Sequence, residues 1–227
     1  MIPTIIFLLL KRYSRINPLG AARLEIILAK AGKRIFAMAF CLFFTAFIFS
    51  QEKRLEYNIK RNGDVVGNIL FTQSSYGNRT TLKLESEVRT RFIFLFTVKS
   101  QEETIYNDGI MTWSSVYRKM NGNVKTDKKI KATGNSYTIY KGANTETLSN
   151  YPIHYNMLSL YALEPLEISK VYSEIFQQFL DIENPDQHHY TIKFPDGNYN
   201  KYYYNNGRCI KVEVHNSLYN AVIELNN

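Results

Sequence analysis

The sequence predicts a mainly β fold, a single antiparallel meander curling into a barrel or half-barrel with one short helical insertion near 154–163. Three observations carry this. Apolar residues alternate with polar ones over many short runs, as strands with one wet face require. Asn-, Asp- and Gly-rich turns separate those runs at hairpin intervals. Tyr (17) and Phe (14) are abundant, which favours strands over helices.

The runs follow in order. In 65–71, Val65, Ile69 and Phe71 share a face with Gly67. In 80–88, Leu82, Leu84 and Val88 oppose Lys83, Glu85 and Glu87. Residues 92–98 differ, because Phe92, Phe94, Phe96 and Val98 fill one face while Ile93 and Leu95 fill the other. Such a strand is covered on both sides, or faces a ligand or membrane. Further alternation runs through Tyr190, Ile192 and Phe194, then Ile210, Val212 and Val214, then Tyr219, Ala221, Ile223 and Leu225. Turn signals sit at Asn62-Gly63, Gly77-Asn78, Asp108-Gly109, Asn121-Gly122, Gly134-Asn135, Asp196-Gly197 and Asn206-Gly207. Met157, Leu158, Leu160 and Tyr161 have helical spacing, and Glu164-Pro165 ends that pattern. At least one strand is expected within 171–183.

The mature β-rich domain is expected to span 51–227. Residues 35–49 are an uninterrupted apolar run after Lys33-Arg34 and before Ser50-Gln51-Glu52-Lys53. Basic flank, apolar centre and a small residue before a polar stretch are the parts of a secretory signal. The segment 35–50 is therefore read as a signal-peptide core with cleavage after Ser50. A retained anchor is the alternative, but the run is short of the ~20 residues a span needs. Residues 1–34 read as an extension ahead of the true start, or as a long leader. Export places the domain in the periplasm or outside the cell, peripheral to the outer membrane.

Charge excludes one function class. The net charge is +8, but residues 1–50 hold seven bases and one acid. That leaves 28 − 7 = 21 bases and 20 − 1 = 19 acids beyond residue 50. The β-domain is nearly neutral and carries no footprint for nucleic acid. Of the two cysteines, only Cys209 lies in that domain, so no internal disulfide is expected.

The C-terminal half resembles a family of exported, β-rich Bacteroidota proteins known as a domain of unknown function. The residues that carry the resemblance are Leu160-Tyr161 before Glu164-Pro165, then Val171-Tyr172-Ser173-Glu174, His189-Tyr190, Pro195-Asp196-Gly197, Tyr202–Tyr204 and Asn206-Gly207-Arg208-Cys209. The Asn62 to Gly67 segment fits as well, and the whole covers roughly 53–225. These are turn and core positions, so the resemblance implies no chemistry. The layout is also loosely similar to exported domains that build curved-sheet half-barrels around an apolar groove, a likeness of fold only.

Candidate sites follow. Binding of an apolar or amphipathic ligand would use Phe92, Ile93, Phe94 and Phe96, with Tyr202 and Tyr204, under a helical lid. Adjacent tyrosines at 199, 202, 203 and 204 put rings on both faces of a strand, and cross-strand pairing is their ordinary role. A passive structural or interaction module is the alternative, and predicts a closed core with a free edge strand or exposed patch. A hydrolase would use Glu174 or Cys209 in a polar cleft beside a histidine, although no nucleophile motif flanks Cys209. Glu164 reads as a helix-terminus residue. His188-His189 read as surface histidines at a strand entry, without metal-ligand spacing. Lys125, Lys128, Lys129 and Lys131 form a basic segment that suits anionic headgroups or, more ordinarily, the protection of an edge strand. No catalytic residue, metal or cofactor is expected. The expected partners are a lipid or other apolar small molecule, or an envelope protein, with no stable membrane span after the leader is removed.

Overall fold

The computed structural model describes residues 51–91, 95–142, 144–149, 152–217 and 219–226. They belong to one compact unit, Ser50–Asn227. Eight strands come first, as β1 (Gln51–Arg61), β2 (Asp64–Tyr76), β3 (Arg79–Arg91), β4 (Leu95–Asn107), β5 (Ile110–Met120), β6 (Asn123–Thr133), β7 (Ser136–Lys141) and β8 (Asn144–Ser149). A single helical turn, α1 (Ser159–Ala162), follows. The chain then forms β9 (Lys170–Ser173), β10 (Gln178–Asp186), β11 (His189–Lys193), β12 (Tyr199–Asn205), β13 (Arg208–His215) and β14 (Asn220–Leu225).

All fourteen strands join one antiparallel sheet in the order β8-β7-β6-β5-β4-β3-β2-β1-β14-β13-β12-β11-β10-β9. The first and last strands are neighbours, with Tyr57 opposite Leu225 and Ile59 opposite Ile223. Two runs of hairpins spread from that seam. The sheet curls without closing, since β8 and β9 end the order. Tight turns make this possible. Asn62-Gly63, Asp108-Gly109, Asn121-Gly122 and Asn206-Gly207 each place both residues at positive φ, the paired left-handed geometry that matches strand twist.

The connection from β8 to β9 crosses the concave face instead of running over the surface. Ile153, Leu158, Leu160 and Tyr161 are buried against Tyr57, Phe71, Leu84 and Tyr202 in one core. The Tyr161 ring stacks on Phe71 with centroids 6.0 Å apart and meets Tyr57 and Tyr202 edge-on.

Four expectations need correction. The helix spans 159–162, not 154–163, because upstream backbone groups bond to neighbouring strands. Met111 N–H donates to Ile153 O, Tyr172 N–H to Tyr155 O, and Met157 N–H to Tyr172 O. Tertiary hydrogen bonding overrides the local period there. Val65 does not share the face of Ile69 and Phe71. Ile59 pairs with Gly67 and Lys60 with Val65, so Val66 is an extra residue and Val65 turns outward, 59% exposed. The same happens at Ile210, where Tyr203 pairs with Lys211 and Tyr204 with Cys209. Ile210 is 37% exposed, while Cys209 joins Val212 in the core. Finally, the lysines of β6 do not guard an edge, because β6 pairs with β5 on one side and β7 on the other.

Candidate functional site

Beneath the crossing connection lies a buried polar cluster. Thr104 on β4 and Ser114 on β5 occupy core-facing positions. Asn156 enters from the connection, and Glu174 follows β9. Glu174 Oε1 accepts from Ser114 Oγ at 2.7 Å and from Asn156 Nδ2 at 2.6 Å. Asn156 Nδ2 also donates to Thr104 Oγ1 at 2.7 Å. Tyr106 OH donates to Asn156 Oδ1 at 2.8 Å and lies 2.9 Å from Ser159 Oγ. The cluster ties the connection to the sheet wall. The hydroxyl of the buried Tyr172 has no hydrogen-bond partner among the described residues.

Glu174 is only 5% exposed. Burial raises its carboxyl pKa above the ordinary value, and the bonds from Ser114 and Asn156 offset part of that rise. A raised folded-state pKa gives stability that is full below the unfolded carboxyl pKa of ~4.3 and is lost as pH rises through the folded value. Glu174→Gln keeps an acceptor oxygen and cannot ionise. Urea titrations should therefore find the variant gaining on the parent as pH rises from about 4 to 8. A constant difference across that range would contradict the assignment.

The other sequence candidates fall apart spatially. Cys209 is sealed in the core, and burial pushes its thiol up to about 12. Its carbonyl accepts from Tyr57 OH. No histidine is a hydrogen-bond partner of Cys209 or Glu174 among the described residues. Glu164 lies past the end of α1 and accepts from Tyr190 OH at 3.0 Å, with His188 Nδ1 at 2.7 Å. This pairing of Glu164 and His188 was not legible in the sequence, where 24 positions separate them. His188 sits in the β10–β11 turn at φ +62°, and His189 opens β11, as expected of a strand entry. No group of three His, Cys, Asp or Glu among the described residues is placed to hold a metal.

Of the expected ligand-lining residues, Phe92, Ile93 and Phe94 lie outside the described residues. Phe96 is half-buried. Tyr202 and Tyr204 are 2% and 5% exposed. Tyr202 packs on Tyr161, and Tyr204 OH donates to Leu160 O at 2.7 Å. Both tyrosines thus clasp the connection. Shallow surface depressions among the described residues lie elsewhere. One of about 340 Å³ adjoins Asp196, Tyr199 and His215. One of about 230 Å³ adjoins Pro165, Ile182 and Tyr190. No helix among the described residues is long and apolar enough to cross a membrane.

Comparison with known proteins bears on fold and family. A crystal structure from Brucella abortus, titled a β-barrel-like protein of domain of unknown function DUF1849, is similar with a TM-score of 0.50. The match covers 79% of this chain and 97% of that one, at 10% sequence identity. At that identity the likeness concerns fold alone. No curated protein sequence matches the chain. A family model matches residues 57–226, most of the β-domain from its first strand to its last, and on that span the chain belongs to the family described as domain of unknown function DUF6134.

Proposed function

We propose that this chain is an exported, non-catalytic β-domain of the cell envelope that acts as an interaction module. The observation that carries the reading is the filled concave face. In a half-barrel that takes an apolar ligand, that face is the groove. Here Ile153, Leu158, Leu160 and Tyr161 occupy it, and Tyr202 and Tyr204 hold the connection in place. The buried positions of Cys209 and Glu174, with no histidine bonded to either, favour a non-catalytic reading. What the fold offers outward is a free edge. Among the described residues β8 has a partner only in β7, and most of its residues are exposed. The opposite edge is covered, because Asn156 bridges Tyr172 of β9. Export is supported by the apolar run at 35–49 and by the start of the compact unit at Ser50.

Native mass spectrometry of Ser50–Asn227, purified without detergent, tests the reading. The expected result is the mass of the polypeptide alone. An added mass that is lost on denaturation and identified as a lipid or other apolar molecule would overturn it. That outcome would favour ligand binding by the Phe92–Phe96 segment.

A further inference from the structure

We infer that the outer face of β5–β8 is a docking surface for an anionic lipid membrane, an inference that rests on the interaction-module reading. The inner faces of these strands are fixed by the buried Ser114, Val116, Ile130, Tyr137 and Ile139. Alternation then turns Trp113, Tyr117, Lys129, Lys131 and Tyr140 to the opposite side. Register sets them side by side. Lys131 stands between Trp113 and Thr138, and Lys129 between Ser115 and Tyr140. The Lys119 ammonium lies 5.5 Å from the Tyr117 ring centroid, so it belongs to the same face.

Charge on this face is one-sided. Lys119, Lys125, Lys129 and Lys131 are all exposed. Asp127 is the one acid in β5 or β6, and it lies 3.6 Å from Lys129. Lys119, Lys125 and Lys131 have no ion pair among the described residues. The usual reason for lysines on a strand, protection of an open edge, does not apply to β6. What remains is lysine interleaved with Trp and Tyr, the composition of a membrane–water interface, where amphipathic rings sit among headgroups and ammonium groups meet anionic lipid. A protein partner would instead want a pocket for an anchoring side chain. The depressions beside Tyr199 and Tyr190 are lined by residues of other strands and loops.

The chain has one tryptophan, so Trp113 reports docking without a label. The Ser50–Asn227 unit is mixed with vesicles containing phosphatidylglycerol, or with vesicles of phosphatidylcholine alone. The expected result is a blue shift of Trp113 emission and co-sedimentation with the first only, both reversed by added salt. Replacing Lys119, Lys125, Lys129 and Lys131 by Gln should weaken partitioning at least ~10-fold, since each lysine near an anionic surface contributes several-fold. Asp127→Asn should strengthen it, which guards against loss of folding as the explanation. Absence of binding to phosphatidylglycerol vesicles, equal binding by the four-lysine variant, or equal binding to both vesicle types overturns the inference. Binding of poly-glutamate but not vesicles would also overturn it, and would assign the face to an acidic polypeptide. In each of these cases a clean native mass leaves the broader reading standing.

Discussion

Replacing Tyr161 by Ala should destabilise the domain by about 4 kcal/mol, since deleting a buried aromatic ring removes its transfer energy and leaves a cavity. Tyr161 is the centre of the aromatic packing, against Phe71, Tyr57 and Tyr202. It also anchors the connection that fills the concave face. Chemical denaturation should show the full loss, with a melting temperature lower by roughly 10 °C for a domain of this size. The result discriminates between two roles for the 152–169 segment. A lid resting on a preformed groove would detach when Tyr161 is truncated, and the rest of the sheet would keep its stability within about 1 kcal/mol. A core element takes the fold down with it. A loss under 1 kcal/mol would restore the lid and, with it, the ligand-binding groove.

Gly67→Ala should be nearly as damaging, about 3 kcal/mol, for a different reason. A Cβ at Gly67 would lie 2.2 Å from Glu87 O and 2.9 Å from Val88 Cα. Both are backbone atoms of β3, so no side-chain rotation relieves the clash and the two strands must separate. Gly67 comes directly after the bulge residue Val66, where β2 bends. The neighbouring Val65→Ala is the control. Val65 points to solvent, so its truncation should change stability by no more than about 0.5 kcal/mol. Thermal melts of the two variants check the pair. If Val65→Ala proved the more harmful, the bulge would be misplaced and strict alternation through 65–71 would hold after all.

That bulge shows how far alternation carries a sequence reading. Period two identifies the strand and its two faces, but one inserted residue reverses every assignment beyond it. Pattern alone places Val65 and Ile210 inward, and each turns outward next to a bulge. The opposite reversal brings Cys209 inside. Sequence held no signal for either bulge beyond Gly67 itself. The buried cluster was equally hidden. Ser114 and Thr104 sit among polar neighbours in β5 and β4, and nothing local says that Asn156 will meet Thr104 across 52 positions or Glu174 meet Ser114 across 60.

The sequence by itself determined the class of fold, seven of the hairpin turns and part of the core, including Ile69, Phe71, Leu82, Leu84, Ile192, Val212 and Ile223. Those depend on alternation and on Asn-Gly and Asp-Gly turns, which act over a few residues. It also located the lysines, the tyrosines and the apolar run at 35–49. Only the tertiary structure decided where the β8–β9 connection goes, and therefore whether the curled sheet is hollow. Helical spacing in 154–163 is compatible with a lid outside or a plug inside. The choice falls to the plug because four apolar side chains there bury against the concave face while the backbone around α1 bonds to β5 and β9. Strand order made the second decision. A basic strand reads alike at an edge or inside a sheet, and pairing of β6 on both sides turns its lysines from edge guards into part of an exposed face.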